Sequence, residues 1–162
     1  MAAEFKTKSV DETMATMTPD PIVNHVPVMT GGVGYNEVRH FYSTYFIPCQ
    51  PPDTDIVPVS RTVGKDRIVD ELIHKFTHTI EMPWMLPGIK PTGRRVEAAV
   101  VVVVQFKDRK IVGEHIYGPS LRAFSDRIDR CCKNARNWDE ASRKVIDAAH
   151  EPSNGLIKRV NK

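Results

Sequence analysis

Apolar positions recur at a helical period over the first third of this chain and at a strand period after Asp53. Ser9-Val10-Asp11-Glu12 reads as a capping box, with Ser9 as the cap and Glu12 reaching back to its N–H. Val10, Met14 and Met17 then fall at i, i+4 and i+7, predicting a short amphipathic helix. Pro19 and Pro21 end it, because their rings cannot continue the hydrogen-bond ladder. A turn-like passage follows through Asn24 to Gly34, with Gly31, Gly32 and Gly34 opening a second helix. With no strand expected before it and no Lys-Ser/Thr after it, this Gly-Gly-x-Gly is a helix entry and not a phosphate loop. The second helix is predicted over 35–46. Val38, Phe41, Tyr42, Tyr45 and Phe46 give it one broad apolar face, read as core.

Strands are predicted beyond the Pro48, Pro51 and Pro52 break. Residues 55–63 form a short one, 64–66 a turn, and 67–79 a longer one. On that strand Ile68, Asp70, Leu72, His74, Phe76 and His78 share a face, because side chains alternate. A proline- and glycine-punctuated loop, 81–93, separates it from the strongest strand, 96–106, which contains five consecutive valines. A polar turn at 107–110 leads into an antiparallel partner at 111–117. Helices followed by a run of strands mean α+β, a curved antiparallel sheet wrapped on N-terminal helices.

Composition narrows the function classes. A 41% apolar and 27% charged chain of 162 residues suits one globular domain. No apolar run is long enough to span a bilayer, and the first residues lack a signal-like core, so no membrane is expected and a cytoplasmic location is. The net charge of +3 is all accounted for by Gly118–Asn137, leaving the remainder neutral; nucleic acid is therefore not an expected partner. Cys49, Cys131 and Cys132 form neither a disulfide framework nor a metal-binding spacing, so no metal and no cofactor are expected.

Specific runs of residues then carry a resemblance. Val23-Asn24-His25-Val26-Pro27, Met29–Gly34, Pro58–Glu71, Phe76-Thr77-His78, Trp84–Gly93 and Glu114–Tyr117 resemble the SnoaL-like family of the nuclear-transport-factor-2-like superfamily, which includes polyketide cyclases and ketosteroid isomerase. The resemblance covers about Glu4 to Tyr117. It implies a cone with an apolar cavity between sheet and helices, often in a homodimer. This chain has Pro83 where relatives carry an acidic residue. In relatives the last strand runs on without a break, whereas here Tyr117 is separated from Trp138-Asp139-Glu140-Ala141-Ser142 by the Arg- and Cys-rich segment 118–137. The expected organisation is therefore a SnoaL-like unit at 1–117, an atypical insertion at 118–137, and a C-terminal remnant of the same domain at 138–162. Retained noncoding sequence is one origin that suits the insertion. Asp139 matches the acidic residue that serves the family as general acid or base.

His, carboxylate and aromatic side chains on strands suit proton transfer in an apolar pocket, where burial tunes a base to remove a proton beside a carbonyl. His78, at the end of an apolar strand face, is the first catalytic candidate, followed by His25 and, through the resemblance, Asp139. Asn24, Trp84, Met85, Leu86, His115 and Tyr117 are the expected substrate-binding residues, Trp84 to Leu86 as apolar walls for a flat ring. Glu114 and His115 point to opposite faces, so only one lines a cavity; Tyr117 shares the face of His115 and could donate to an oxyanion. Glu97 is expected in a rim ion pair with Arg67 or Arg95. The favoured function is a cofactor-independent cyclase, isomerase or lyase acting on a small apolar carbonyl compound of secondary metabolism. A non-catalytic ligand-binding or dimerisation module is the alternative. An ester or lactone hydrolase is a second one, although no Gly-x-Ser-x-Gly elbow is present.

Overall fold

Ser9 caps the first helix, α1 (Val10–Ala15), its hydroxyl accepting from the Glu12 amide at 3.2 Å. The expected box closes differently, because the Glu12 carboxylate accepts from the Thr7 hydroxyl at 2.5 Å. This computed structural model describes residues 3–118, so the insertion at 118–137, the remnant at 138–162 and Asp139 lie outside the described residues apart from Gly118 itself. A π-helical turn over Ala3–Thr7 precedes α1.

Two strands occupy the passage expected to be a turn. β1 (Met17–His25) and β2 (Thr30–Val33) pair antiparallel, with Val23 opposite Gly32 and Asn24 opposite Gly31. Prolines concealed β1 from a pattern reading, and the sheet absorbs them where β1 and its neighbour shift register between Met17 and Ile22. Met17 therefore belongs to a strand, and α1 stops two residues before it. The second helix is split: α2 (Gly34–Phe41) widens into a π-helical turn over Tyr42–Phe46, and both carry the expected apolar face inward.

β3 (Asp55–Val63), β4 (Arg67–Thr77), β5 (Arg95–Lys107) and β6 (Lys110–Tyr117) follow the predicted boundaries closely. The β5–β6 turn places Asp108 and Arg109 at φ 51° and 63°, the left-handed pair that matches strand twist in a two-residue hairpin. The sheet order is β2-β1-β6-β5-β4-β3. One correction to the antiparallel expectation is needed: β1 lies parallel to β6, so the curved six-stranded sheet is mixed. Val23 then sits beside Glu114, and His25 beside Ile116.

One face of the sheet carries Leu72, Val100, Val102 and Val104 as a buried strip. The larger core joins the helices to Phe76, Met82, Trp84, Met85 and Leu86. Glu97 pairs with Lys75 at 3.5 Å, not with either arginine expected, because Lys75 is its direct cross-strand neighbour.

Gly32 makes the helix–sheet join possible. A Cβ there would lie 2.6 Å from the Glu37 carbonyl carbon and 2.7 Å from the Val38 nitrogen, both backbone atoms of α2. Gly32→Ala is expected to destabilise by roughly 2 kcal/mol or more through overpacking. Gly93→Ala, at φ +67° with open space around it, should cost about 1 kcal/mol from backbone strain alone. Urea midpoints at unchanged m-value measure the contrast; equal midpoints for the two variants count against the close approach.

Candidate functional site

β1, β4, β5 and β6 each send a side chain into one pocket, and the helical segments and the 78–94 loop form its opposite wall. From the sheet come His25, Leu72, His74, Val100, Val102, Glu114 and Ile116; from the other side come Phe5, Tyr42, Phe46, Trp84 and Met85. The pocket opens to solvent, and the room left inside it is a small cavity of about 80 Å³.

Glu114 is the carboxylate of this lining, 7% exposed. It accepts a hydrogen bond from the Tyr42 hydroxyl at 3.1 Å. Parallel pairing puts Glu114 one alternation step from Ile116, the neighbour of His25, so carboxylate, phenol and imidazole converge from three elements.

Two imidazoles share the pocket. His25 packs against Phe41, Phe46 and Trp84 at centroid distances of 5.4, 5.6 and 5.2 Å. Burial lowers its pKa to about 3; a backbone hydrogen bond with Thr30 opposes the shift, and His74 adds slightly to it. His74 stacks on Trp84 at 5.8 Å and is lowered to about 4 by burial. Both rings are therefore neutral near pH 7. His25 Nδ1 and His74 Nε2 are buried without a hydrogen-bond partner. Trp84 itself is pinned at two points. Its carbonyl accepts from the buried Thr30 hydroxyl at 2.7 Å, and its indole N–H donates to the Cys49 carbonyl at 3.4 Å.

Of the residues named from sequence, His25, Trp84 and Met85 line the pocket. Leu86 lies buried in the core beside them. His78 is not in the lining. Just past the end of β4, its backbone clasps Arg94, Thr92 and Gly93, and its ring hydrogen-bonds Thr92 Oγ1 at 3.3 Å, which places it as a tie within the loop. Asn24, His115 and Tyr117 are likewise outside the lining; by alternation they share the opposite sheet face, since Glu114 and Ile116 are the residues turned inward. The residues missed were Glu114, His74 and Tyr42. Alternation left Glu114 and His115 as two possibilities, and the pairing of β6 with its neighbour strands separates them. Among the described residues no group of three His, Cys, Asp or Glu is placed to hold a metal ion, and no helix is long and apolar enough to cross a membrane.

The two depressed imidazole pKa values make stability pH-dependent. Each histidine is protonated near pH 6.5 when unfolded but only near 3 or 4 when folded, so the unfolded state binds more protons as pH falls through that interval. Stability should be full above pH 6.5 and decline toward pH 4, by on the order of 3 kcal/mol for each ring. Urea unfolding across this range in wild type and His74→Phe should show a shallower slope in the variant; parallel slopes count against a buried neutral His74.

The comparisons agree with this architecture. A family model described as SnoaL-like domain matches residues 1–114. No curated protein matches the sequence. Among solved structures, a protein assigned as a SnoaL-like polyketide cyclase from Jannaschia aligns at 19% identity and TM-score 0.56, covering 71% of this chain and 75% of that one. Another, assigned as a polyketide cyclase from Acidithiobacillus ferrooxidans, aligns at 15% identity and TM-score 0.56, covering 86% and 89%. A protein of ketosteroid isomerase-like fold from Catenulispora acidiphila, solved with trimethylamine, aligns at 11% identity and TM-score 0.56, covering 74% and 81%. At these identities the solved structures share the fold alone, while the family model spans most of the chain: this protein belongs to the SnoaL-like domain family.

Proposed function

We propose that the chain is a cofactor-independent proton-transfer enzyme of cyclase or isomerase type, acting on a small apolar carbonyl compound. The observation that carries this reading is the Glu114–Tyr42 pair, a carboxylate held by a phenol at 3.1 Å inside an apolar pocket. In such surroundings a carboxylate meets a carbon acid with little competing water. Polyketide cyclases among the structural neighbours support the reaction class.

In the proposed step Glu114 takes a proton from the carbon beside the carbonyl. The C–H electron pair becomes the enolate double bond, and the carbonyl π pair moves to oxygen. Once Glu114 carries that proton it needs the Tyr42 hydrogen less, and the hydroxyl turns to the enolate oxygen. Return of the proton to another carbon isomerises the substrate; attack of the enolate carbon on a second carbonyl closes a ring. His25, neutral in the same lining, adds no charge to the site.

The reading extends to a secondary-metabolite substrate, a cytoplasmic location and a homodimer. Val69, Ile73, Val101 and Val103, half-buried on the opposite sheet face, support a dimer, and sedimentation at micromolar concentration checks it.

Proton transfer is measurable without the natural substrate. With α-tetralone bearing a phenyl group at the end remote from the ketone, wild type should catalyse exchange of the α-hydrogens for deuterium. Glu114→Gln should lower the rate by about 100-fold or more, and Tyr42→Phe by about tenfold. Binding of the ketone without any exchange would sink the catalytic reading and leave a ligand-binding module, for which Pro83 in place of an acidic residue speaks.

A further inference from the structure

One ion pair lies on the pocket face of the sheet and plays no part in the proposed reaction. Asp70 shares the inward face of β4 with Leu72 and His74, two residues of the lining, because strand side chains alternate. It stands two residues from Leu72, about 7 Å along the strand, and directly opposite Val102, a lining residue of β5. Its neighbour on the other side is Arg61 of β3, whose Nε and Nη2 donate to the two carboxylate oxygens at 2.6 and 2.8 Å. The Asp70 side chain is 9% exposed and that of Arg61 59%. The cover over the inward face therefore ends between them, and the guanidinium stands at its edge, largely in solvent.

Packing alone does not call for this pair. An apolar residue at position 70 would continue the stripe of Ile68, Leu72 and Phe76, and replacing a buried ion pair by well-packed apolar side chains is often neutral or stabilising. What the pair achieves is position. Arginine is long and rich in rotamers, and a two-point contact holds its guanidinium in one place and one plane. The other ion pairs printed by the geometry of the described residues, Arg39–Asp11 and Lys75–Glu97, close through a single contact each. With Nε and one Nη2 hydrogen engaged, the Nη1 hydrogens and the outer Nη2 hydrogen of Arg61 remain on the edge turned away from Asp70.

We propose that Arg61, fixed by Asp70, binds a carboxylate on the part of the ligand that projects from the pocket. The cavity holds only about 80 Å³, so most of any larger ligand lies beyond its mouth, where the rim can recognise it. The two parallel N–H groups on the free edge of the guanidinium match the two oxygens of a carboxylate. Asp70 balances the charge of Arg61, so recognition comes from these directed bonds more than from net charge. Among the described residues no second Lys or Arg shares this face of β3 or β4, which leaves a phosphate dianion under-compensated. The ligand class is thus a keto acid, with an apolar body and enolisable carbonyl in the pocket and an acid group at the rim. The carbonyl end rests on the Glu114 reading; the carboxylate end does not.

Cyclohexanones carrying, opposite the carbonyl, straight alkyl chains of graded length that end in a carboxylate test it, with their methyl esters as neutral counterparts. Calorimetric titration of the full chain at neutral pH and low salt should show one best chain length, at which the acid binds about tenfold more tightly than its ester. Arg61→Gln alone would leave Asp70 buried without its partner and endanger the fold. The test variant is therefore Arg61→Met combined with Asp70→Leu, which removes both charges and keeps the volume. In it the preference for acid over ester should vanish, while affinity for the ester stays within about twofold. Asp70→Asn, which keeps the guanidinium and loosens its anchor, should spread the preference over several chain lengths, a change that a merely structural pair would not produce. No preference in wild type, an unchanged preference in the double variant, an unchanged single best length in Asp70→Asn, or tighter binding of the matching phosphonate overturns the inference. Deuterium exchange on the same compounds keeps the two readings apart. An acid preference without exchange leaves recognition standing and removes the reaction, whereas exchange without the preference does the reverse.

Discussion

The parallel pairing of β1 with β6 is the constraint on which the site depends. It sets His25 beside Ile116 and Val23 beside Glu114, so it decides which residues of β1 join the inward face of β6. A slip of one residue in this register would turn His25 out of the pocket and bring a neighbour such as Asn24 in. The pairing is itself held from outside. The β1–β2 hairpin brings Gly31 against Val23, where a Cβ would meet the Val23 carbonyl oxygen at 1.9 Å, and Gly32 admits α2 at backbone contact. The glycine run is a packing device in which two close approaches fix the strand that carries His25.

Around that strand the pocket combines few polar groups with many apolar ones, and this ratio governs their behaviour. Burial keeps both imidazoles in the neutral form. The same low polarity strengthens the contact between Tyr42 and Glu114.

Trp84 links the two imidazoles. Thr30 holds its backbone and Cys49 its indole N–H, so the ring is fixed by the hairpin on one side and by the exit from the helical half on the other. It touches Phe46 at 4.6 Å, His25 at 5.2 Å and His74 at 5.8 Å. This wall of the pocket is thus tied to the elements that position both histidines.

Much of this fold was legible in the order of residues. The cap at Ser9, the aromatic face ending at Phe46, the 67–77 alternation and the valine run of β5 are local patterns, and local sterics and burial period are enough to specify them. The hairpin of β1 and β2 was not legible, because prolines and glycines there serve packing against distant backbone and erase the strand period. The family runs pointed to His25 and Trp84, which the pocket contains, and to His78, which the loop instead uses for its own hydrogen bonds. Glu114, Tyr42 and His74 come from positions 42, 74 and 114, and no local pattern connects them. The sequence by itself determined which side chains share a face of each element. Only the tertiary structure decided which faces meet, because strand register and helix docking depend on contacts between residues far apart in the chain.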